Sequence, residues 1–213
     1  MCYQLHIGAY QWDIHLSITR SVCHTFFVFS FKTAKLMKTL EPTIHYNPDL
    51  TQIINGEEVM SPSPKMPHQS ASIELVLLLA NHVKQNKLGR VFAAPFDVIL
   101  EQDFNHLQPD IFFVSNAYRD IMQDWIRGVP DLVIEIVSPS SKKLDTIVKK
   151  GVYESYGVPE CWIVFPDKVR IEIYTLVEGR YALHGTFSDE QKVQSKVLPA
   201  LSFPAGAMSG DFE

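Results

Sequence analysis

The chain has 213 residues, of which 46% are hydrophobic and 20% are charged. These are ordinary values for a globular protein, and they exclude the disordered and fibrous classes. The length predicts one compact domain with appendages rather than two domains. The 19 basic and 24 acidic residues give a formal charge of -5, which argues against a protein that coats nucleic acid through bulk positive charge but leaves room for a local basic patch.

The cysteines and the apolar runs indicate the compartment. Cys2, Cys23 and Cys161 are widely separated, so they predict neither a disulfide framework nor a zinc site. The longest apolar run, residues 25–31, is far shorter than the roughly 20 residues that span a bilayer, and it lacks the flanks of a signal peptide. We therefore expect a cytoplasmic protein that does not insert into a membrane.

The hydrophobic pattern changes near the start of the chain. Residues 1–36 have no clear period, whereas regular signals begin after Met37. We expect an irregular N-terminal appendage over residues 1–36, which need not be part of the native product, followed by a single domain over residues 37–213. After a turn and a proline-broken loop, residues 68–87 carry apolar side chains on almost every face, a pattern that predicts a buried helix.

Apolar runs predict the strands that follow. Central strands are expected at residues 91–100, 110–115 and 131–137. A second helix should begin at the Ser-rich residues 138–141 and reach Tyr156, and two further strands are expected at residues 161–165 and 169–177. This order predicts an α/β (α+β) fold in which helices flank a mixed central sheet. The last of these strands could form an exposed edge that pairs in a homodimer.

Two carboxylates lie in predicted buried strands, where an acidic side chain needs a partner. Asp110 opens one strand, and Glu135 lies in the middle of another. If the two strands are neighbours, these carboxylates form a hard oxygen site that suits Mg²⁺ or Mn²⁺. The alternative is that Glu135 pairs with a basic side chain and that Asp110 caps a turn.

A cation near such a site would orient an attacking water and favour its ionised form. Val137, two residues after Glu135 on the same strand face, cannot supply this charge. Lys149 lies four residues after Asp145 and four before Tyr153, so all three share one face of the predicted second helix. The alternative is that Lys149 and the neighbouring lysines form a solvated basic face.

Four segments of the chain, taken in order, form a pattern that resembles a known family. They are GEEVMSPSPKMPHQ at 56–69, APFDVIL at 94–100, QPDIFFVS at 108–115, and DLVIEIVSPSSKKLDTIVKKGVYESYGVPECWIV at 131–164. Together they resemble the Uma family, within the PD-(D/E)XK nuclease superfamily, and the resemblance covers about residues 45–213. It implies a restriction-endonuclease-like fold with a mixed sheet between helices.

The resemblance also implies roles for individual residues. Asp110 matches the metal-binding aspartate, and Glu135 matches the acidic residue of the (D/E)-x-K element, whose lysine position holds Val137. Lys149 then resembles a migrated replacement for that lysine. Glu57 and His68 match family positions at the entrance to the first helix and are second-rank candidates for the metal or substrate side of the cleft.

Some alternatives and departures bear on these roles. His68 could instead be a helix-start residue that bonds to the backbone. Gln52 stands where the family often has a glutamate, which puts an additional acidic contact in doubt. Cys161 stands where a tyrosine is usual before Trp162, and we expect this change to affect only the core.

The combined expectation is a Mg²⁺- or Mn²⁺-dependent endonuclease that acts on DNA. Asp110 and Glu135 would hold the metal, and Lys149 would align the attacking water. Binding would require basic residues to gather near the cleft; the candidates are Lys84, Lys87, Arg90, Lys142, Lys143, Lys149 and Lys150. The alternatives are a non-catalytic nucleic-acid-binding or protein-interaction module on the same fold, and a hydrolase of another phosphoester.

Overall fold

A computed structural model describes residues 3–7, 10–14, 50–61 and 63–209. The chain divides into two compact units, Met1–His45 and Tyr46–Glu213. In the first unit, β1 (Tyr3–Ile7) and β2 (Tyr10–Ile14) pair as antiparallel strands, which the sequence pattern did not predict. The expected boundary after residue 36, together with Cys2 and Cys23, lies outside the described residues.

The second unit contains the following elements in chain order. They are β3 (Thr51–Ile54), β4 (Glu57–Met60), α1 (Met66–Asn86), β5 (Gly89–Ala93), β6 (Val98–Glu101), β7 (Asn105–Leu107), β8 (Ile111–Ser115), a 3-10 helix (Asn116–Ile121), β9 (Ile126–Arg127), β10 (Leu132–Ile136), a π-helical turn (Leu144–Lys149), α2 (Lys150–Ser155), β11 (Glu160–Phe165), a 3-10 turn (Pro166–Lys168), β12 (Arg170–Val177), β13 (Arg180–Ser188), β14 (Lys192–Gln194), β15 (Ser202–Pro204) and a final 3-10 helix (Ala205–Ser209).

The largest sheet has the strand order β13-β12-β11-β10-β8-β5. The central strands β10 and β11 are parallel, and the other neighbours are antiparallel. A parallel pair needs a crossover connection, and here the crossover consists of the π-helical turn and α2. A smaller sheet has the order β4-β3-β7-β6-β9. The mixed sheets and flanking helices confirm the predicted fold class.

The two faces of β10 serve different parts of the core. Leu132, Ile134 and Ile136 belong to the apolar cluster that includes α1, whereas Val133 belongs to the cluster that includes α2 and the smaller sheet. Successive side chains of a strand point to opposite faces. Glu135 therefore points to the side of the sheet that carries the crossover.

The long central elements form where the sequence predicted them, but three expectations are wrong. α1 is buried on one face only, because Leu75 and Leu79 are buried whereas Ile73 and Leu77 are 58% and 52% exposed. The apolar run at residues 91–100 does not form one bent strand, because β5 belongs to the large sheet and β6 to the smaller one. Nor is β12 an exposed edge, since β13 pairs along its whole length, so the strand argument for a homodimer fails. No helix among the described residues is long and apolar enough to cross a membrane.

The hairpin of β3 and β4 was predicted only as a turn. Its two connecting residues, Asn55 and Gly56, both have positive φ angles, of 54° and 80°. This is the geometry of a two-residue type I′ hairpin, which Asn-Gly favours because glycine adopts positive φ without steric cost. The base of this hairpin positions one wall of the candidate site.

Candidate active site

A buried ion pair links the central strand to the crossover. Glu135 Oε2 lies 3.0 Å from Lys149 Nζ, and the two side chains are 1% and 5% exposed. Lys149 also faces the backbone oxygen of Gln108 at 3.5 Å. The sequence left open that Glu135 pairs with a basic side chain, and the structure contains such a pair. The partner is Lys149, the same residue that was expected to be functional.

Two more side chains of the crossover complete this cluster. The hydroxyl of Tyr153 donates to Glu135 Oε1 at 2.5 Å, and Asp145 Oδ1 lies 3.9 Å from Lys149 Nζ. Asp145 and Lys149 both lie in the π-helical turn, a rare geometry that is often found at functional sites. Spacings of four residues therefore place all three crossover side chains on the face that meets Glu135, as the sequence predicted.

Asp110 is held from two directions at the start of β8. Its Oδ2 accepts the backbone N–H of Ile136 at 2.6 Å, and its Oδ1 lies 3.2 Å from Nε2 of His68. Asp110 thus bonds across to β10 rather than capping a turn. His68, in the first turn of α1, contacts a carboxylate rather than the backbone, and its Nδ1 is buried without a hydrogen-bond partner among the described residues.

One cavity of about 250 Å³ brings these groups together. Its lining includes His68, Asp110, Glu135, Asp145 and Lys149. The structure thus places the three expected catalytic residues and His68 around a single space. Glu57 does not line this cavity; it lies at the start of β4 with an exposed side chain.

Burial and mutual repulsion perturb the acidic groups of the site. Burial raises the pKa of Glu135, although the charge of Lys149 and the hydroxyl of Tyr153 act in the opposite direction. Burial also raises the pKa of Asp145 to about 6. Because neighbouring carboxylates add to both shifts, the cavity favours the arrival of positive charge.

The pKa values of the two basic groups of the site, Lys149 and His68, are also raised. Burial opposes the charged form of Lys149, but the surrounding carboxylates, Glu135 foremost, outweigh it and raise the pKa of this lysine. For His68, burial lowers the pKa while Asp110 raises it, and the net shift is upward. Both side chains are therefore suited to carry positive charge beside an anionic substrate.

An amide network ties the hairpin to the site. Gln52 Oε1 accepts the backbone N–H of Gln108 at 2.8 Å, and Gln52 Nε2 donates to the hydroxyl of Ser61 at 2.6 Å. The backbone oxygen of Gln108 in turn faces Lys149. At the position where the resemblance suggested an acidic residue, this chain therefore has a neutral bridge between the hairpin and β8.

The donor set of the cavity is compatible with Mg²⁺. Mg²⁺ prefers oxygen ligands and is commonly held by one or two carboxylates, with waters and substrate phosphates completing its shell. Asp110 and Glu135 supply two such groups, and each ionised carboxylate has about four lone-pair sites, so their present contacts do not exhaust them. The described residues contain no cluster of three or more His, Cys, Asp or Glu side chains in a metal-holding arrangement.

The expected basic residues do not all gather at the cavity. Lys65 is among the lining residues, although the sequence analysis did not single it out, and Lys142 and Lys143 directly follow the lining residue Ser141. Lys84 lies in the last turn of α1, about 24 Å along the helix from His68 at 1.5 Å per residue. Lys84, Lys87 and Arg90 are not among the residues that line the cavity.

Comparisons with known proteins agree with this architecture. The sequence model of the Uma2 family, described as "Putative restriction endonuclease", matches residues 42–206. A crystal structure described as that of "a putative nuclease belonging to DUF820" from Anabaena variabilis has a TM-score of 0.62 and 18% sequence identity, and the match covers 74% of this chain and 88% of that chain. At this identity the likeness bears on the fold alone. None of the curated proteins matches the chain. Because the family match spans well over half of the sequence, the chain belongs to the Uma2 family.

Proposed function

We propose that the protein is a Mg²⁺-dependent endonuclease that hydrolyses phosphodiester bonds in DNA at the cavity of Asp110, Glu135 and Lys149. The observation that carries the proposal is the position of two carboxylates and a buried lysine around one cavity. Membership of a family described as restriction endonucleases supports a nucleic-acid substrate. Mn²⁺, which has similar ligand preferences, is expected to replace Mg²⁺.

Asp110 and Glu135 would hold the metal, which when bound supplies positive charge to the phosphate and lowers the pKa of a water. The backbone N–H of Ile136 fixes the orientation of Asp110, and Tyr153 and Lys149 fix that of Glu135. Such preorganisation lowers the cost of arranging charged groups during the reaction.

Lys149 would act directly on the reacting groups. Its ammonium group has three donors, and its contacts with Glu135 and Gln108 anchor the side chain at the bottom of the cavity. From this position it can donate to the attacking water and balance charge that develops on the phosphate. Lys149 would thus supply the positive charge that Val137 cannot supply, because Val137 is apolar and is packed in the core.

A plasmid-nicking assay tests the proposal. Purified protein should cleave supercoiled plasmid or single-stranded circular DNA with Mg²⁺ or Mn²⁺ and should be inactive in EDTA, and Asp110→Asn should lower the rate by about a hundredfold or more. Asp167→Asn, which alters an exposed aspartate in the turn before β12, is the matched control and should leave the rate unchanged. Equal nicking in EDTA, or by Asp110→Asn, would contradict the proposal.

One observation favours a non-catalytic binding module as the second candidate. Both oxygens of Glu135 and both oxygens of Asp110 already have protein partners, so the two carboxylates do not need a metal to satisfy them. In that case DNA binding should occur without cleavage under any metal, and Asp110→Asn should leave the affinity unchanged. The nicking assay combined with a binding titration separates the two candidates.

A further inference from the structure

The reacting groups of the proposed nuclease site lie at the bottom of the cavity. Among the proposed catalytic side chains, Asp110 is 19% exposed, whereas Glu135 is 1% and Lys149 is 5% exposed. A phosphate can reach the lysine only by entering the cavity. Shape and depth therefore restrict which nucleic acids can be substrates.

The cavity is small and is walled on several sides. Its volume of about 250 Å³ is slightly below the roughly 300–1,000 Å³ of small-molecule sites, which is room for one sugar–phosphate unit and not for two paired strands. Its walls come from β3, the first turns of α1, the Ala94-Pro95 segment and the loop at residues 138–141. The Gln52–Ser61 and Gln52–Gln108 bonds hold the β3 wall in place.

Duplex DNA is poorly suited to such a recess. It resists smooth bending over about 150 base pairs, and its paired strands cannot fold one phosphate inwards without breaking stacking and pairing. For an unpaired strand, little free energy is needed to bring one phosphate inwards. Its backbone is free to bend, and its bases are already unstacked in part.

Building on the proposed function, we infer that the substrate is an unpaired strand, either single-stranded DNA or an unpaired segment within a duplex. One nucleotide unit enters the cavity and brings its phosphate to Lys149, while the flanking nucleotides remain at the mouth.

The chemistry of the mouth suits this substrate. Ser63, Gln69 and Ser140 are exposed there and offer hydroxyl and amide groups to phosphates or base edges. Lys65 adds positive charge at the start of α1, where no acidic side chain lies in the first turn. The flanking phosphates of a bent single strand would therefore meet neutral donors and a cation.

The first test compares three DNAs of one sequence under Mg²⁺: a single strand, a full duplex, and a duplex with a central unpaired loop. We expect the single strand to be cut at least tenfold faster than the duplex, and cuts in the looped DNA to fall within the loop. Cleavage of the duplex at an equal or higher rate would overturn the inference while leaving the proposed nuclease function intact.

A binding assay in EDTA makes the test independent of cleavage. Fluorescence anisotropy at one fixed salt concentration should show at least tenfold tighter binding of the single strand than of the duplex. Equal or tighter binding of the duplex would overturn the inference. A single-strand preference without any cleavage would instead sustain the substrate class and count against the proposed catalytic function.

A matched pair of variants locates the binding surface. Gln69→Glu adds a negative charge at the cavity mouth, and Gln85→Glu makes the same change on an exposed face of the same helix, about 24 Å away at 1.5 Å per residue. We expect Gln69→Glu to weaken single-strand binding by about fivefold or more and Gln85→Glu to have little effect. Equal weakening by both would mean that binding does not take place at the cavity.

Discussion

Lys149 Nζ lies 3.0 Å from Glu135 Oε2, and both side chains are almost completely removed from water. Burying two charges costs several kcal/mol for each ion, which mutual attraction repays only when the geometry is good and other partners are present. Here Tyr153 bonds to the second oxygen of Glu135. Removal of one member of the pair should therefore be far more costly than replacement of both.

Glu135→Ala should destabilise the protein strongly, because it leaves Lys149 buried with only Asp145 as a more distant carboxylate partner. We expect the free energy of unfolding in EDTA to fall by about 3–5 kcal/mol. The double change Glu135→Leu, Lys149→Met, which replaces the pair with apolar side chains, should recover most of this loss.

Urea unfolding in EDTA measures both changes, and Glu190→Ala, at an exposed glutamate, serves as the control. If the double variant is less stable than Glu135→Ala, the ion pair contributes a net stabilisation that apolar packing cannot replace.

Tyr153→Phe removes only the hydroxyl that bonds Glu135. Hydrogen bonds to charged groups contribute about 1.5–3 kcal/mol, so the free energy of unfolding should fall by about this amount. Because Glu135 loses one of the two side chains that orient it, the rise in melting temperature caused by Mg²⁺ should also become smaller. Differential scanning calorimetry with and without Mg²⁺ measures both effects.

The control for this change is Tyr118→Phe, at a half-exposed tyrosine in the 3-10 helix after β8. An unchanged Mg²⁺ effect in Tyr153→Phe would mean that Tyr153 stabilises the fold without positioning Glu135.

Long buried elements could be predicted from the sequence, whereas short or mixed ones could not. The apolar run that became α1 is long, and the run that became β10 is buried at every position. β7 has only three residues, and β13 alternates poorly between buried and exposed positions. Missing β13 left β12 as an apparent edge, which explains the incorrect dimer argument.

The sequence predicted in part that the side chains of the site lie close together. Acidic residues in apolar strands required partners, and the four-residue spacing around Lys149 placed that side chain correctly. The contact between His68 and Asp110 joins positions 42 residues apart, and no local pattern encodes such a distance. Likewise, nothing in the sequence indicated that Tyr153 would bond Glu135 rather than pack against the sheet.

Stability without metal should depend on pH through Asp145. Burial raises the pKa of Asp145 from 3.8 to about 6, so between these values the folded state holds a proton that the unfolded state has lost. The resulting stabilisation is fully present below pH 3.8 and is lost as the pH rises through 6. The loss should be about 3 kcal/mol.

Urea unfolding in EDTA between pH 4 and pH 8 measures this dependence. Glu135 and His68, whose pKa values are also raised, add losses of the same sign, so the difference between wild type and Asp145→Asn isolates the contribution of Asp145. Parallel curves for the two proteins would show that Asp145 has the same pKa in both states.

Residues 1–36 should be dispensable for the second unit. Residues Tyr46–Glu213 form a compact unit by themselves, which contains every candidate site residue and the described members of both apolar clusters, and a unit with its own core is expected to fold alone. A chain that begins at Met37 should keep its melting temperature within about 2 °C. Loss of folding would show that the N-terminal residues are required.

Intact-mass measurement on protein from its own cells tests the related expectation that the native product lacks these residues. A dominant species that begins at Met1 would contradict it.

Lys149 and Lys150 provide the sharpest test, because adjacent residues on a helical segment point in different directions. Lys149 faces Glu135 in the cavity, whereas Lys150 Nζ lies 4.0 Å from the centre of the Tyr174 ring. Lys149→Met should lower kcat/KM for cleavage by about a hundredfold or more, the scale for the loss of one charge contact in the transition state. Lys150→Met should cost only the cation–π contact, about 0.5–1 kcal/mol of stability, with cleavage nearly unchanged.

Steady-state kinetics on one DNA substrate, with unfolding curves for both variants, make the comparison. An equal loss of activity from the two substitutions would mean that the lysines act as a diffuse basic patch, and a specific role for Lys149 in the reaction would then be wrong.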